Sequence, residues 1–464
     1  MSLPAAVAAG HPATARVGRD VLAAGGSAAD AVAAMILAGC VAETIFTGLG
    51  GGGFAVVYSA DTAAVDCLDF FVAVPGLDGT LPGPGRAIQV EFGTVPVPYE
   101  VGGPTVAVPG TPAGVAVLHN GFGRLPWDRV VAPAEQLARN GVAFPAAHAA
   151  LLPDIAPAML LGDGIAAYSH PGTGRLLAAA DLLHHPGLAD TLAAYRRDGP
   201  AALMAGPAAE ALVAAVRADG GALSMDDLAA YRVIDLAASD QPFGPGRLRA
   251  RSTDLDDLVG TAAALDVAAV RAGEPSRSLA LVTALRSPAR RAETTSVAAV
   301  DGDGNACAAT HSLGLGSGIW VGGVHANSML GEGELIRGQL TPGDRMGSMM
   351  VPLVVTDATG GLLLVAGAAG GSRIRPALLQ VLAGVLIEGR TMAEAVAAPR
   401  LSCTPDAVHL EPGFPAVVTT ALREAGERVV QWDAPLPYFG GVSAVGPGGP
   451  AADPRRGGAA MTVR

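Results

Sequence analysis

The chain has 464 residues, half of them hydrophobic and 16% charged, with a formal net charge of −12 and an isoelectric point near 5.2. That apolar share supplies a large buried core and excludes disorder of the whole chain, and the acidic balance opposes a polyanion-binding role, so no nucleic-acid partner is expected. Aromatic residues make up only 4%, so the core must be built from Ala, Val and Leu. The 63 glycines and 35 prolines are spread along the chain and not gathered into a spacer, and no regular repeat is evident.

Met1-Ser2-Leu3-Pro4 leads straight into Ala/Gly-rich sequence with no basic n-region. The longest apolar run, Ala31 to Ala42, is too short to cross a bilayer and suits a buried helix. A cytoplasmic location without membrane contact is the expectation. Ser27 followed by Asp30 is a capping-box-like start for a helix running to about Gly39, and Gly25 and Gly26 end the helix before it, giving an N-terminal helical hairpin.

Phe54 to Tyr58 then reads as a strand, entered through four consecutive glycines, Gly50 to Gly53, whose lack of side chains permits close backbone packing or contact with a ligand. A phosphate-cradling loop is the competing reading. It is disfavoured because no Gly-Lys-Ser/Thr follows and the glycines precede a strand instead of opening a helix. From Pro126 to Ala230 the pattern is mainly helical, with Ala/Leu/Arg segments around Asp190 to Arg197 and Ala208 to Ala218.

From Thr294 onward strands return. Ser296 to Val300, Ala306 to Thr310, Leu353 to Thr356 and Leu362 to Val365 are short, apolar and bounded by Asp/Gly turns, as in an antiparallel meander. The four cysteines, Cys40, Cys67, Cys307 and Cys403, lack metal-ligand or redox spacing and sit among apolar neighbours. Buried free thiols are expected, with no disulfide, no zinc or other metal, and no cofactor.

The run Glu293-Thr294-Thr295-Ser296-Val297 places two threonines ahead of an alternating apolar strand. Paired threonines at a strand start are ordinary, because β-branched residues favour strands. They gain a second meaning if the Glu293–Thr294 bond is cut by the Thr294 hydroxyl. One residue then carries both an oxygen nucleophile and a free α-amine able to take its proton.

Four ordered stretches favour that meaning: Val21 to Ala31 running into Gly48-Leu49-Gly50-Gly51-Gly52-Gly53-Phe54; the threonine run continuing to Gly316-Ser317-Gly318; Gly370-Gly371-Ser372-Arg373-Ile374; and Ala452-Asp453-Pro454-Arg455-Arg456-Gly457. Weaker matches, Val108 to Thr111, Asp227 to Tyr231 and Ala398 to Arg400, fill the intervals. In these the chain resembles the γ-glutamyltranspeptidase family of N-terminal-nucleophile hydrolases. The resemblance implies an α/β fold, a four-layer α/β/β/α sandwich with antiparallel sheets. It also implies a helix-rich large-subunit segment, 1–293, and a strand-rich catalytic small-subunit segment, 294–464, whose cleaved halves associate as one interleaved domain.

Carried over motif by motif, Thr294 matches the nucleophile and Ser312 stands where a second threonine supports its hydroxyl. Gly370 and Gly371 match the glycines whose N–H groups form the oxyanion hole, donors preorganised toward developing negative charge. A Gly-Gly pair alone reads as a turn, and the Ser372-Arg373-Ile374 tail decides for the site.

The substrate side departs from the pattern. The family holds a glutamyl α-carboxylate with the arginine of an Asp-Phe-Arg-Glu segment, and the stretch here is Asp69-Phe70-Phe71-Val72. Phe71 cannot make that bidentate, charge-assisted contact. Met329 and Glu332 align with an amide and an acid that grips the α-amine, Ser348 and Met349 with paired serines, and Gly314 stands near a family asparagine. The stretch from Gly244 to Glu293 is much shorter than in typical members. Arg345 and Arg375 are candidates to replace the lost cation, whereas Arg373 belongs to the motif and reads as structural.

Together these changes imply a more apolar pocket and a specialised small-molecule substrate in place of glutathione. Two alternatives remain beside hydrolysis or acyl transfer. One is a carbon–carbon bond hydrolase of alkylproline antibiotic biosynthesis, and the other is a binding homologue that has lost chemistry.

Overall fold

Ser27 opens its helix through a reciprocal cap: Ser27 Oγ accepts the Asp30 N–H at 3.1 Å, and the Asp30 carboxylate accepts the Ser27 N–H at 3.0 Å. The computed structural model describes residues 3–92, 95–252, 255–286, 294–336 and 338–463; Glu293 lies outside the described residues. The hairpin comprises helices Pro12–Ala23 and Ala28–Ala42. The second runs three residues past the expected end at Gly39, and every one of its residues is buried, as an apolar-all-round sequence demands.

Two antiparallel sheets carry the architecture. The first has seven strands in the order Ala459–Thr462, Ala6–Ala9, Thr295–Val300, Ala306–Ser312, Gly52–Ser59, Ala64–Phe70 and Ile234–Ala237. The second has six: Gly449–Ala452, Gly441–Gly446, Leu362–Ala369, Leu353–Thr356, Gly246–Ala250 and Gln241–Phe243. Their facing surfaces close on small aliphatic side chains, among them Val56, Ala298, Val300, Ala306 and Ala308 against Val354, Val365 and Val445. The outer face of the first sheet packs on the hairpin helices, and that of the second on helices Ile374–Leu386 and Ser276–Leu285. The order is therefore helix, sheet, sheet, helix.

Two expectations are refined. The four strands after Thr294 do not form one meander: Thr295–Val300 pairs Ala306–Ser312 in the first sheet, and Leu353–Thr356 pairs Leu362–Ala369 in the second. Each hairpin lies in the middle of its own sheet, covered by a helix layer on one side and by the other sheet on the other. Strand Ala6–Ala9, from the start of the chain, lies between Thr295–Val300 and Ala459–Thr462, so segments from either side of position 294 interleave in one sheet.

The glycine run serves this packing. A Cβ on Gly51 would lie 2.1 Å from the Ser312 carbonyl oxygen, one on Gly52 2.7 Å from that of Phe70, and one on Gly53 2.4 Å from that of Thr310. The cysteines are free thiols, with Cys40, Cys67 and Cys307 buried and Cys403 half-buried. Among the described residues one segment, Ala201–Ala218, has the length and hydropathy of a membrane span. It breaks at Ala205, in extended backbone, into helices Ala201–Met204 and Gly206–Ala218.

Candidate active site

Thr294 immediately precedes the fully buried strand Thr295–Val300. Its Oγ1 accepts the Gly370 N–H at 2.9 Å, and its carbonyl oxygen accepts Arg456 Nη1 at 3.1 Å. Gly370 follows the second-sheet strand Leu362–Ala369, so Thr294 faces the second sheet. Gly370 and Gly371 have φ of +114° and +58°, which glycine adopts without steric cost. They lead through the turn Gly371–Arg373 into the helix Ile374–Leu386, whose N-terminal end favours negative charge nearby.

The register explains how distant residues meet. Thr295 pairs His311, Ser312 pairs Gly52, and Gly53 pairs Phe70. One step further along, Thr294, Ser312, Gly52 and Phe71 fall in one row across the sheet end, on the face toward the second sheet. Three strand spacings put Phe71 about 14 Å from Thr294. Ser312 Oγ accepts the Gly314 N–H at 3.0 Å.

The residues expected on the substrate side form two groups. Phe71, Met329 and Met349 are each 1% exposed and belong to one apolar cluster with Phe54, Met346 and Met350. Phe71 stacks on Phe54 with ring centroids 5.5 Å apart, and the Arg251 guanidinium sits 3.6 Å over the Phe54 ring. Arg251 also donates to the carbonyl oxygens of Ser348, at 2.6 Å, and Met350, at 2.8 Å. In the second group Tyr99 OH donates to Glu332 Oε1, lies 3.1 Å from Ser328 Oγ and accepts the Leu315 N–H. Burial and the Glu332 charge push the Tyr99 hydroxyl well above its ordinary range. A Cβ on Gly314 would lie 2.3 Å from Glu332 Oε1, so the glycine admits this cluster.

The three arginines considered as replacement cations have partners of their own. Arg345 lies over the Tyr231 ring and 3.4 Å from Asp69. Arg375 lies 3.7 Å from Asp256 and donates to Thr261 and the Leu285 carbonyl oxygen. Arg373 packs over Tyr438 and donates to Ser372.

Sequence reasoning missed the residues behind Thr294. Thr295 points to the face opposite Thr294 and donates to Glu43 Oε2 at 2.5 Å, while Thr14 donates to Glu43 Oε1 at 2.9 Å. Glu43 is 1% exposed, and burial raises its carboxyl pKa above the ordinary value. With Phe46, Ser296, Asp453 and Arg456 it lines a small cavity with room for about one water. Arg456 stacks on Phe46, and its neighbour Arg455 is anchored in a buried network with Glu411 and Asp453. The acid-Pro-Arg-Arg tail was visible as a motif, but nothing in one dimension linked it to Thr294. Among the described residues no group of three or more His, Cys, Asp or Glu side chains is arranged to hold a metal.

Comparison with known proteins gives a consistent picture. The family model for γ-glutamyltranspeptidase matches residues 14–243 and 259–463. The acylase ACY 1 proenzyme of Pseudomonas sp. strain SE83 is 27% identical over 92% of this chain and 87% of its own length. The glutathione hydrolase proenzyme of Escherichia coli strain K12 is 26% identical over 90% of this chain and 84% of its own. Among solved structures, cephalosporin acylase from Bacillus halodurans superposes with a TM-score of 0.81 at 22% identity, covering 100% of this chain and 96% of that one, a likeness of fold.

Proposed function

The chain belongs to the γ-glutamyltranspeptidase family, an enzyme family of the N-terminal-nucleophile hydrolase type, and we propose that it is a self-processed threonine acylase for an acyl amide of apolar character. The observation that carries this reading is the Gly370 N–H directed at Thr294 Oγ1. A hydroxyl and a preorganised donor meet at a strand start, where scission of the Glu293–Thr294 bond would free an α-amine on the same residue. Thr294 Oγ1 then attacks the substrate carbonyl, and its α-amine takes the hydroxyl proton. The N–H groups of Gly370 and Gly371 hold the oxyanion, the amine leaves with that proton, and water or an acceptor amine resolves the ester. The interleaving of Ala6–Ala9 with strands beyond Thr294 supports two fragments that stay associated as one domain.

The apolar preference rests on Phe71, Met329 and Met349, which stand where the resemblance calls for an arginine, an amide and a serine. A relative named as an acylase supports the same direction. The test is direct. Purified protein run on a denaturing gel should give two fragments, the smaller beginning at Thr294, and should release p-nitroaniline from phenylacetyl-p-nitroanilide faster than from its γ-glutamyl counterpart. A single band stable for days, with neither anilide cleaved, rejects the enzyme reading, and preference for the γ-glutamyl substrate rejects the apolar pocket.

A further inference from the structure

We propose that Glu43 is a positioning residue for Thr294: through the Thr295 hydroxyl, its carboxyl group fixes how the strand start presents the nucleophile to Gly370. The inference rests on the reading of Thr294 as nucleophile and adds a residue to it.

Three observations carry it. First, Thr294 and Thr295 point to opposite faces of the sheet, as consecutive strand residues must. The strand start is therefore held from both sides, by Gly370 on the Thr294 hydroxyl and by Glu43 on the Thr295 hydroxyl. Arg456 holds the carbonyl oxygen between them.

Second, Glu43 is badly placed for stability. It caps the C-terminal end of the buried helix Ala28–Ala42, where the helix dipole opposes negative charge. The Arg456 charge, in the same cavity, offsets part of this, and the hydrogen-bond partners of Glu43 among the described residues are the two threonine hydroxyls. A buried acid at the negative end of a helix violates a local rule, and such violations concentrate at functional sites. Third, the surroundings are shaped to the carboxyl group. A Cβ on Gly10, the residue after strand Ala6–Ala9, would lie 2.3 Å from Glu43 Oε2 and 2.9 Å from Thr295 Oγ1, so glycine there leaves this hydrogen bond its room.

The contact acts by orientation. A misplacement of about 1 Å can cost on the order of a hundredfold in rate even when the chemistry is untouched. Self-cleavage of the full-length chain reads this without any substrate. Glu43→Ala and Thr295→Val should each slow appearance of the fragment beginning at Thr294 by roughly tenfold to a hundredfold. The double variant should be no slower than the slower single, because both remove one interaction. Glu43→Gln, which keeps an acceptor for the Thr295 hydroxyl, should recover to within about threefold of the parent rate. Where processed enzyme is obtained, kcat on phenylacetyl-p-nitroanilide should fall while KM holds.

A parent rate in folded Glu43→Ala, additive losses in the double variant, or failure of Glu43→Gln to recover overturns the proposal. If Glu43→Ala does not fold, Thr295→Val decides alone, and its cleavage at the parent rate overturns it. Thr294→Ala separates the two readings. Cleavage persisting in that variant removes the nucleophile assignment itself, whereas its arrest beside normal Glu43→Ala removes only the role of Glu43.

Discussion

The Gly370 main-chain N–H donates to Thr294 Oγ1 at 2.9 Å, joining the end of one sheet to the start of a strand in the other. A φ of +114° at Gly370 sets the direction of that donor, and a Cβ there would lie 3.0 Å from the Gly440 Cα. Gly370→Ala is thus strained in both backbone and packing. If this N–H stabilises the oxyanion, the variant should lose on the order of 10² to 10³ in kcat, with KM changed far less. Stopped-time assays on processed enzyme check this, and a kcat within a few-fold of the parent contradicts it.

Phe71 makes the second prediction. It is 1% exposed and stacks on Phe54, whose ring already carries the Arg251 guanidinium. Restoring the arginine that the family resemblance calls for would bury a second cation beside the first. Phe71→Arg should destabilise the fold by several kcal/mol and not create a glutamyl site, because an uncompensated buried charge is costly. Thermal melts and glutathione turnover measure both halves of this statement. A stable variant that gains glutathione hydrolysis would show that a carboxylate pocket survives here.

Gly51 makes the third. The glycine run admitted two readings, close packing or ligand contact, and a Cβ at Gly51 would meet the Ser312 carbonyl oxygen at 2.1 Å. Neither backbone can yield without breaking the ladder that positions Ser312. Gly51→Ala should cost at least about 1–3 kcal/mol, with a lowered melting midpoint and loss of self-cleavage. An unshifted midpoint would return the run to the ligand-binding reading.

The parts of the fold legible in one dimension were those whose cause is local. Ser27 and Asp30 announce their helix because both members of the cap lie three residues apart. The strands after Thr294 were visible by composition, but their division between two sheets was not, since each hairpin's outer partners, Ala6–Ala9 and Gly52–Ser59 for one and Gly246–Ala250 and Gly441–Gly446 for the other, lie far away in the chain. Thr294 and Gly370 stood in ordered motifs, and the structure brings them into contact. Glu43 could not be found that way. It lies 252 residues from Thr295 and follows an ordinary apolar helix, so only the packing of that helix under the sheet makes it a neighbour. Tyr99 and Ser328 escaped for the same reason, being 229 residues apart.

Buried histidines supply the last prediction. His11 Nδ1 accepts the Ala13 N–H at the start of helix Pro12–Ala23, and burial pushes its pKa down to about 4. His185, His311 and His325 are pushed down to about 3, also by burial; His325 Nε2 accepts the Gly318 N–H, and its ring stacks on Trp320 at 4.0 Å. The unfolded chain binds these protons near pH 6.5, whereas the folded chain does not bind them until pH 4 to 3. Within that window the unfolded state holds more protons, so stability rises with pH and is lost as pH falls from 6.5 toward 4. Each such histidine should cost about 1.4 kcal/mol per pH unit below 6.5. The melting midpoint should therefore drop steeply between pH 7 and pH 5, and His325→Gln, which keeps an acceptor for Gly318, should flatten that slope by one histidine's share. A midpoint unchanged across this range, or a slope that His325→Gln leaves intact, would mean that these rings accept protons without unfolding.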